Sequence, residues 1–173
     1  MTDRGHRRRW LAFFALAAGV WVADQLSKAW IDANFRFGAP PTEVLGDLVR
    51  IAVTHNTGGI FGLFGGSALV LALASLAVIA LIVAYHARQG VRSHWLLTIA
   101  LGLLLGGALG NLTDRLRWGY VLDFVDTGIG SMRWYTFNVA DSAISTSLVV
   151  LIGLALLGDR LAGSEPVTEA RQG

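Results

Sequence analysis

The sequence predicts a mainly α-helical integral membrane protein: four transmembrane helices carrying a small extracytoplasmic β-sheet and a short surface helix. Three observations predict it. Of 173 residues, 54% are hydrophobic and only 15% charged, where soluble domains carry about 25% charged residues, and the mean hydropathy is +0.55. Four apolar stretches approach the roughly 20 residues a helix needs to cross a bilayer. Between them lie two loops rich in polar and β-branched residues. The whole chain, 1–173, is expected to form a single membrane domain. With no cysteine there is no disulfide, thiolate zinc site, iron–sulfur cluster or cysteine nucleophile. The histidines His6, His55, His86 and His94 lack the spacing of a zinc peptidase. The formal charge of +2 comes from arginines at the ends and in loops, so no nucleic-acid partner is expected.

The spans are expected at 10–30, 67–85, 95–110 and 141–157. Trp10, Trp30, Tyr85 and Trp95 mark their ends, as aromatic rings do at the headgroup layer. The second span is uncharged and should face lipid. In the third, Gly102, Gly106 and Gly110 recur on one helical face, which predicts close approach of another helix. Arg4, Arg7, Arg8 and Arg9 precede the first span, and Arg88 and Arg92 lie between the second and third. The positive-inside rule then places both termini in the cytoplasm and the loops 31–66 and 111–140 outside. The N-terminal span is too long, and its small residues too poorly placed, for a cleaved signal peptide. A polar tail, 158–173, closes the chain.

In the first outer loop LVRIAVTHN mixes β-branched and polar residues and predicts one or two short strands. Gly58 and Gly59 suit a turn of positive φ, and Phe61 and Phe64 a short surface helix. Asn56 before them is placed either to cap that element or to hydrogen-bond a substrate backbone.

Ionisable residues at membrane depth are costly and mark function. Asp24 and Lys28 lie one turn apart. For Lys28 the sequence favours an ion pair that lets the helix end snorkel; for Asp24, pairing and support of a polar site both stand. Around the last outer loop lie Asp114, Asp123, Asp126 and Asp141. Asp123, between Leu122 and Phe124, sits in a setting that disfavours ionisation. Asp141 falls in the first turn of the fourth helix with Asn138 as its cap, where the helix dipole favours a carboxylate. Composition alone leaves two readings open: a cap and a solvated loop residue, or a pair sharing one proton. Such a pair activates water for attack on a peptide carbonyl and needs no metal or other cofactor. Asp141 would be the more ionised member and Asp123 the more protonated.

Five blocks in order, DQLSK (24–28), HNTGGIFGLF (55–64), GGALGNLTDR (106–115), GYVLDFVD (119–126) and FNVADSAI (137–144), resemble the lipoprotein signal peptidases, the type II signal peptidases of bacteria, which are intramembrane aspartyl proteases. The resemblance implies cleavage of prolipoproteins immediately before a diacylglyceryl-modified cysteine. It implies Asp123 and Asp141 as the catalytic pair, with Asp24, Asn56, Asn111, Arg115, Asn138 and Ala140 lining or bracing the substrate site and Asp114 and Asp126 in support. It also implies residence in the inner membrane among membrane lipids, and a monomer is expected. The family has two alanines where this chain has Gly59-Ile60, and commonly a proline at Tyr135. A presenilin-like protease would need a Gly-x-Gly-Asp signature, and the nearest stretch, GIGSM, lacks the acid. A serine protease would need a histidine in the last outer loop, which holds none. A proton-coupled carrier would place its acids at mid-membrane.

Overall fold

The computed structural model describes residues 2–58, 68–89 and 94–161. The region of the expected surface helix, with Gly59-Ile60, lies outside them, as do Arg92 and most of the polar tail. The chain runs α1 (Thr2–Asn34), β1 (Thr42–Leu45), β2 (Val49–Asn56), α2 (Ala68–Gln89), α3 (Trp95–Trp118), β3 (Val121–Ile129), β4 (Met132–Arg133) and α4 (Val139–Leu161). All four helices are long and apolar enough to cross a membrane.

Helix α3 is the hub, packing on α1, α2 and α4. Its glycines are why. A Cβ on Gly106 would lie 2.7 Å from both the Ala17 carbonyl oxygen and Val20 Cβ, and one on Gly102 3.0 Å from Leu16 Cβ and the Phe13 oxygen. The glycine face therefore meets the backbone of α1, as its spacing predicts. Gly107, one position round, meets α4: a Cβ there would stand 2.5 Å from the Ala140 oxygen. Phe13, Ala17, Ile82, Leu101 and Leu105 form the buried apolar core where α1, α2 and α3 meet. Leu69, Leu73 and Leu81 on α2 point outward, the lipid-facing surface its lack of charge predicts.

Helix α3 runs past Gly110, where the apolar stretch ends, to Trp118. Hydropathy misses this last part because Asn111 and Asp114 are polar, yet both are buried against partners on other elements. The helix stops at Gly119, whose φ of 77° lets its N–H close onto the Arg115 carbonyl. Helix α4 begins at Val139, two residues before the expected start, with Asn138 ahead of it.

The sheet joins both loops. Its order is β1-β2-β3-β4, with antiparallel pairing that sets Thr54 opposite Asp123 and Asn56 opposite Val121. LVRIAVTHN supplies β2, and β1 comes from TEVL just before it. The larger surprise is β3, in the second loop. Residues 121–124 are buried without alternation, so no period-2 pattern announces the strand. The chain then returns along β3: Phe137 and Val125 exchange backbone hydrogen bonds of 2.8 and 3.1 Å. That return sets the start of α4 beside Asp123. Underneath, Ile31, Leu122 and Phe124 join α1 to the sheet.

At the far end of the sheet, Asp126 accepts from Arg50 Nε at 2.9 Å and from Arg133 Nε at 3.0 Å, and Asp47 pairs with both arginines. These bonds pin β2, β3 and β4 together. The Arg133 bond, then Arg50, hold the Asp126 carboxyl below its ordinary range against the opposing effect of burial.

Two stability measurements in detergent check this architecture. Gly106→Ala should lower stability by about 1–3 kcal/mol because backbone stands in the way, whereas Gly153→Ala, with nothing within 4 Å, should leave it unchanged or slightly raised. Asp126→Asn should lower the unfolding temperature at pH 7. Because its folded carboxyl ionises more readily than the unfolded one, that deficit should shrink as pH falls below about 4.

Candidate active site

Apart from Asp126, the polar residues singled out in the sequence converge where α1, α3, α4 and the sheet meet. Asp123, on β3, is 1% exposed. Asn56 Nδ2, from β2, donates to its Oδ2 at 2.9 Å, and Asn138 Nδ2 donates to its Oδ1 at 2.6 Å. Asn56 is held in turn because its own Oδ1 accepts the Gly58 N–H at 2.8 Å, in a turn where Gly58 has a φ of 87°. Asn56 thus caps its turn and orients Asp123 at once.

Asp141 stands in the first turn of α4. The Asn138 side chain accepts the Asp141 N–H at 2.9 Å, and Asp141 Oδ2 accepts the Asn138 N–H at 3.3 Å. This reciprocal pair is a capping box. Asn111 Nδ2, from α3, donates to Asp141 Oδ1 at 2.7 Å. The two carboxylates are therefore linked through Asn138, which bonds both.

A fully buried ion cluster lies behind them. Lys28 Nζ is 2.8 Å from Asp24 Oδ2 and 2.7 Å from Asp114 Oδ2, all three side chains at 0% exposure. The expected Asp24–Lys28 ion pair forms, but without snorkelling: the ammonium points inward, toward two carboxylates and an amide oxygen. Asp24 Oδ1 accepts the Ala140 N–H at 2.9 Å, and Asp114 Oδ2 accepts the Leu122 N–H at 3.2 Å. Gln25 bridges the acids, donating to Asp114 at 3.0 Å and Asp24 at 3.2 Å. The sequence hides the part played by Lys28 and Gln25, since only tertiary packing brings Asp114 to them. Their one signal is a polar run inside an apolar span.

Of the expected site residues, Asp24, Asn138 and Ala140 are wholly buried and brace the frame. Asn56 and Arg115 keep some exposure. Arg115 Nη1 donates to the Asn111 carbonyl at 3.3 Å, while its buried Nε has no hydrogen-bond partner among the described residues. Asp126 stands apart, in the arginine pairs at the far end of the sheet.

Burial raises the Asp123 carboxyl to about 6; the Asn56 bond opposes this, the Asp141 charge adds to it, and Asn138 and Lys28 oppose it more weakly. A carboxyl that keeps its proton to about pH 6, near a second carboxylate bonded by N–H donors, is suited to general acid–base chemistry.

Reactive groups gathered at one end of an apolar helix bundle define an enzyme built into a membrane. Residues 16–157 match the model of the signal peptidase (SPase) II family. The chain is 40% identical over 159 residues to the lipoprotein signal peptidase of Moorella thermoacetica, covering 90% of this chain and all of that one. It is 34% identical over 160 residues to that of Coxiella burnetii (strain Dugway 5J108-111), covering 91% and 96%. A solved structure described as a bacterial membrane enzyme superposes with a TM-score of 0.76 at 27% identity, covering 88% and 92%. The chain belongs to the signal peptidase II family, and is a bacterial membrane protease of lipoprotein processing.

Removing the Asn56 donor takes away a bond that favours the ionised Asp123. In Asn56→Ala the infrared band of the Asp123 carboxyl should persist to a clearly higher pH than in the wild type, whose midpoint is expected near 6. An unmoved midpoint would show that Asn56 does not set the Asp123 proton.

Proposed function

We propose that this chain cleaves prolipoproteins immediately before a diacylglyceryl-modified cysteine, with Asp123 and Asp141 as the catalytic pair. The observation that carries the reading is that Asn138 bonds both carboxyls, at 2.6 Å from its side chain to Asp123 and 3.3 Å from its backbone to Asp141. Asp141, held by N–H donors, takes a proton from a water whose oxygen attacks the scissile carbonyl. Asp123, held protonated by burial, gives its proton to the developing oxyanion. The roles then reverse: Asp123 recovers that proton as the carbonyl re-forms, and Asp141 protonates the leaving amine as the C–N bond breaks. The products are a signal peptide ending in a carboxyl group and a lipoprotein beginning at its free cysteine amine. Low dielectric at the membrane edge sustains the difference between the two acids.

Asn56 and Arg115 retain surface for the substrate, and the exposed part of the Arg115 guanidinium donates to a peptide carbonyl. Asn111, Asn138, Asp24 and Ala140 hold the two acids and the start of α4 in place. A lipidated cysteine and an apolar signal helix both partition into the bilayer, so substrate enters laterally from among membrane lipids. The arginine-rich N-terminus sets both termini in the cytoplasm and the site at the outer face. The chain acts as one membrane domain and as a monomer.

Purified protein in lipid should cleave a diacylglyceryl-modified prolipoprotein with EDTA present. Asp123→Asn and Asp141→Asn should each lower kcat by more than about 10³-fold. Full activity in either variant would remove that residue from the mechanism. Binding without cleavage by the intact chain would leave it a lipopeptide-binding protein. Infrared spectra should lose the protonated carboxyl band in Asp123→Asn and keep it in Asp141→Asn; the opposite pattern would reverse their roles.

A further inference from the structure

The proposed chemistry makes no use of Lys28, whose ammonium is wholly buried behind the two acids. We propose that Lys28 is a positioning residue for the reaction: clamped between Asp24 and Asp114, its ammonium fixes the amide of Asn111 so that Asn111 Nδ2 is held on Asp141. The inference rests on the reading of Asp141 as the group that takes the proton from water.

A lysine ammonium has three donors and no acceptor. Lys28 Nζ meets three acceptors: Asp24 Oδ2 at 2.8 Å, Asn111 Oδ1 at 3.3 Å and Asp114 Oδ2 at 2.7 Å. Only an oxygen of Asn111 can face it. The same Oδ1 also accepts from Asn138 Nδ2 at 3.2 Å, so both of its lone pairs meet donors. The NH₂ end of Asn111 is thereby turned toward Asp141, 2.7 Å away. Turned the other way, the amide would set oxygen against carboxylate oxygen and a donor against the ammonium. Lys28 thus acts through Asn111 on an acid it does not touch.

Among the described residues, the groups around Asp141 are few. From α3 come the Asn111 amide and the Arg115 guanidinium; from β3 comes Asp123; Asn138 caps its own helix. From α1, Lys28 and Asp24 stand one residue further back, Asp24 on the Ala140 N–H. Losing the ammonium loosens a donor on Asp141 and removes a positive charge that favours the ionised form of Asp123, so the pair takes up its second proton at a higher pH.

The test compares Lys28→Met with wild type, reconstituted in lipid, at matched amounts of folded protein. The expected result is a fall in kcat of about 30-fold with KM within about threefold, and an acidic limb of the pH–rate profile moved to higher pH. A lysine that only supported the fold would lower the folded fraction and leave kcat per folded molecule and the profile unchanged, which overturns the proposal. In an Asn111→Ala background, Lys28→Met should cost less than about threefold more in kcat; independent, multiplying losses would show that it does not act through Asn111. If Lys28→Met fails to fold, Lys28→Met/Asp114→Asn, which removes one carboxylate with the cation, is compared with Asp114→Asn. A further loss of about tenfold in kcat supports the proposal, and equal kcat overturns it. Asp141→Asn run alongside separates the two levels: if it retains activity, the catalytic reading fails, whereas if it is inactive and Lys28→Met is unimpaired, only the positioning role fails.

Discussion

The rest of this structure depends on one buried charge cluster, the Lys28 ammonium between the carboxylates of Asp24 and Asp114. Taking an ion out of water costs several kcal/mol, which is offset only when geometry is good and the remaining lone pairs are satisfied. Here both acids are satisfied by backbone from elsewhere in the chain. Asp24 takes the N–H of Ala140 at the start of α4, and Asp114 takes that of Leu122 at the start of β3. The charges of α1 and α3 therefore specify where α4 and β3 begin. Those are the elements that carry Asp141 and Asp123.

Room for the cluster comes from glycine. In lipid no hydrophobic gain draws helices together, so close packing of small residues must do it. A Cβ on Gly110 would lie 2.6 Å from Asp24 Oδ2 and 3.1 Å from Ala140 Cβ. The last glycine of the face that seats α3 on α1 thus also admits the first carboxylate of the polar site. Helix packing and the polar site meet at that position.

The aspartates of the sheet show how environment divides like groups. Asp123 and Asp126 are three residues apart on β3, and both are buried. Asp126 meets two guanidinium groups and ionises more readily than a free carboxyl. Asp123 receives amide donors, which cannot match what burial removes, and holds its proton to about 6. The difference comes from the partners that strand pairing supplies: Arg50 opposite Asp126, and Thr54 opposite Asp123 with Asn56 two residues on.

Much of this was legible along the chain. The four apolar helices, the glycine face and the Asn138–Asp141 cap are local: each depends on residues within a few turns of one helix, where 3.6-residue periodicity and capping chemistry operate. Strand β3 was not legible, because a strand buried on both faces shows no alternation. The Asp24–Lys28 pair is legible from its one-turn spacing, but the inward turn of the ammonium is not, since nothing local shows the Asp114 carboxylate of a helix far along the chain. The sequence by itself determined a four-helix membrane protein with acids gathered at its loop ends. Only the tertiary structure decided which of those acids are held by amides, which by guanidinium groups and which by a buried ammonium. Partner identity across long sequence separations is set by packing and strand register, and no local pattern carries it.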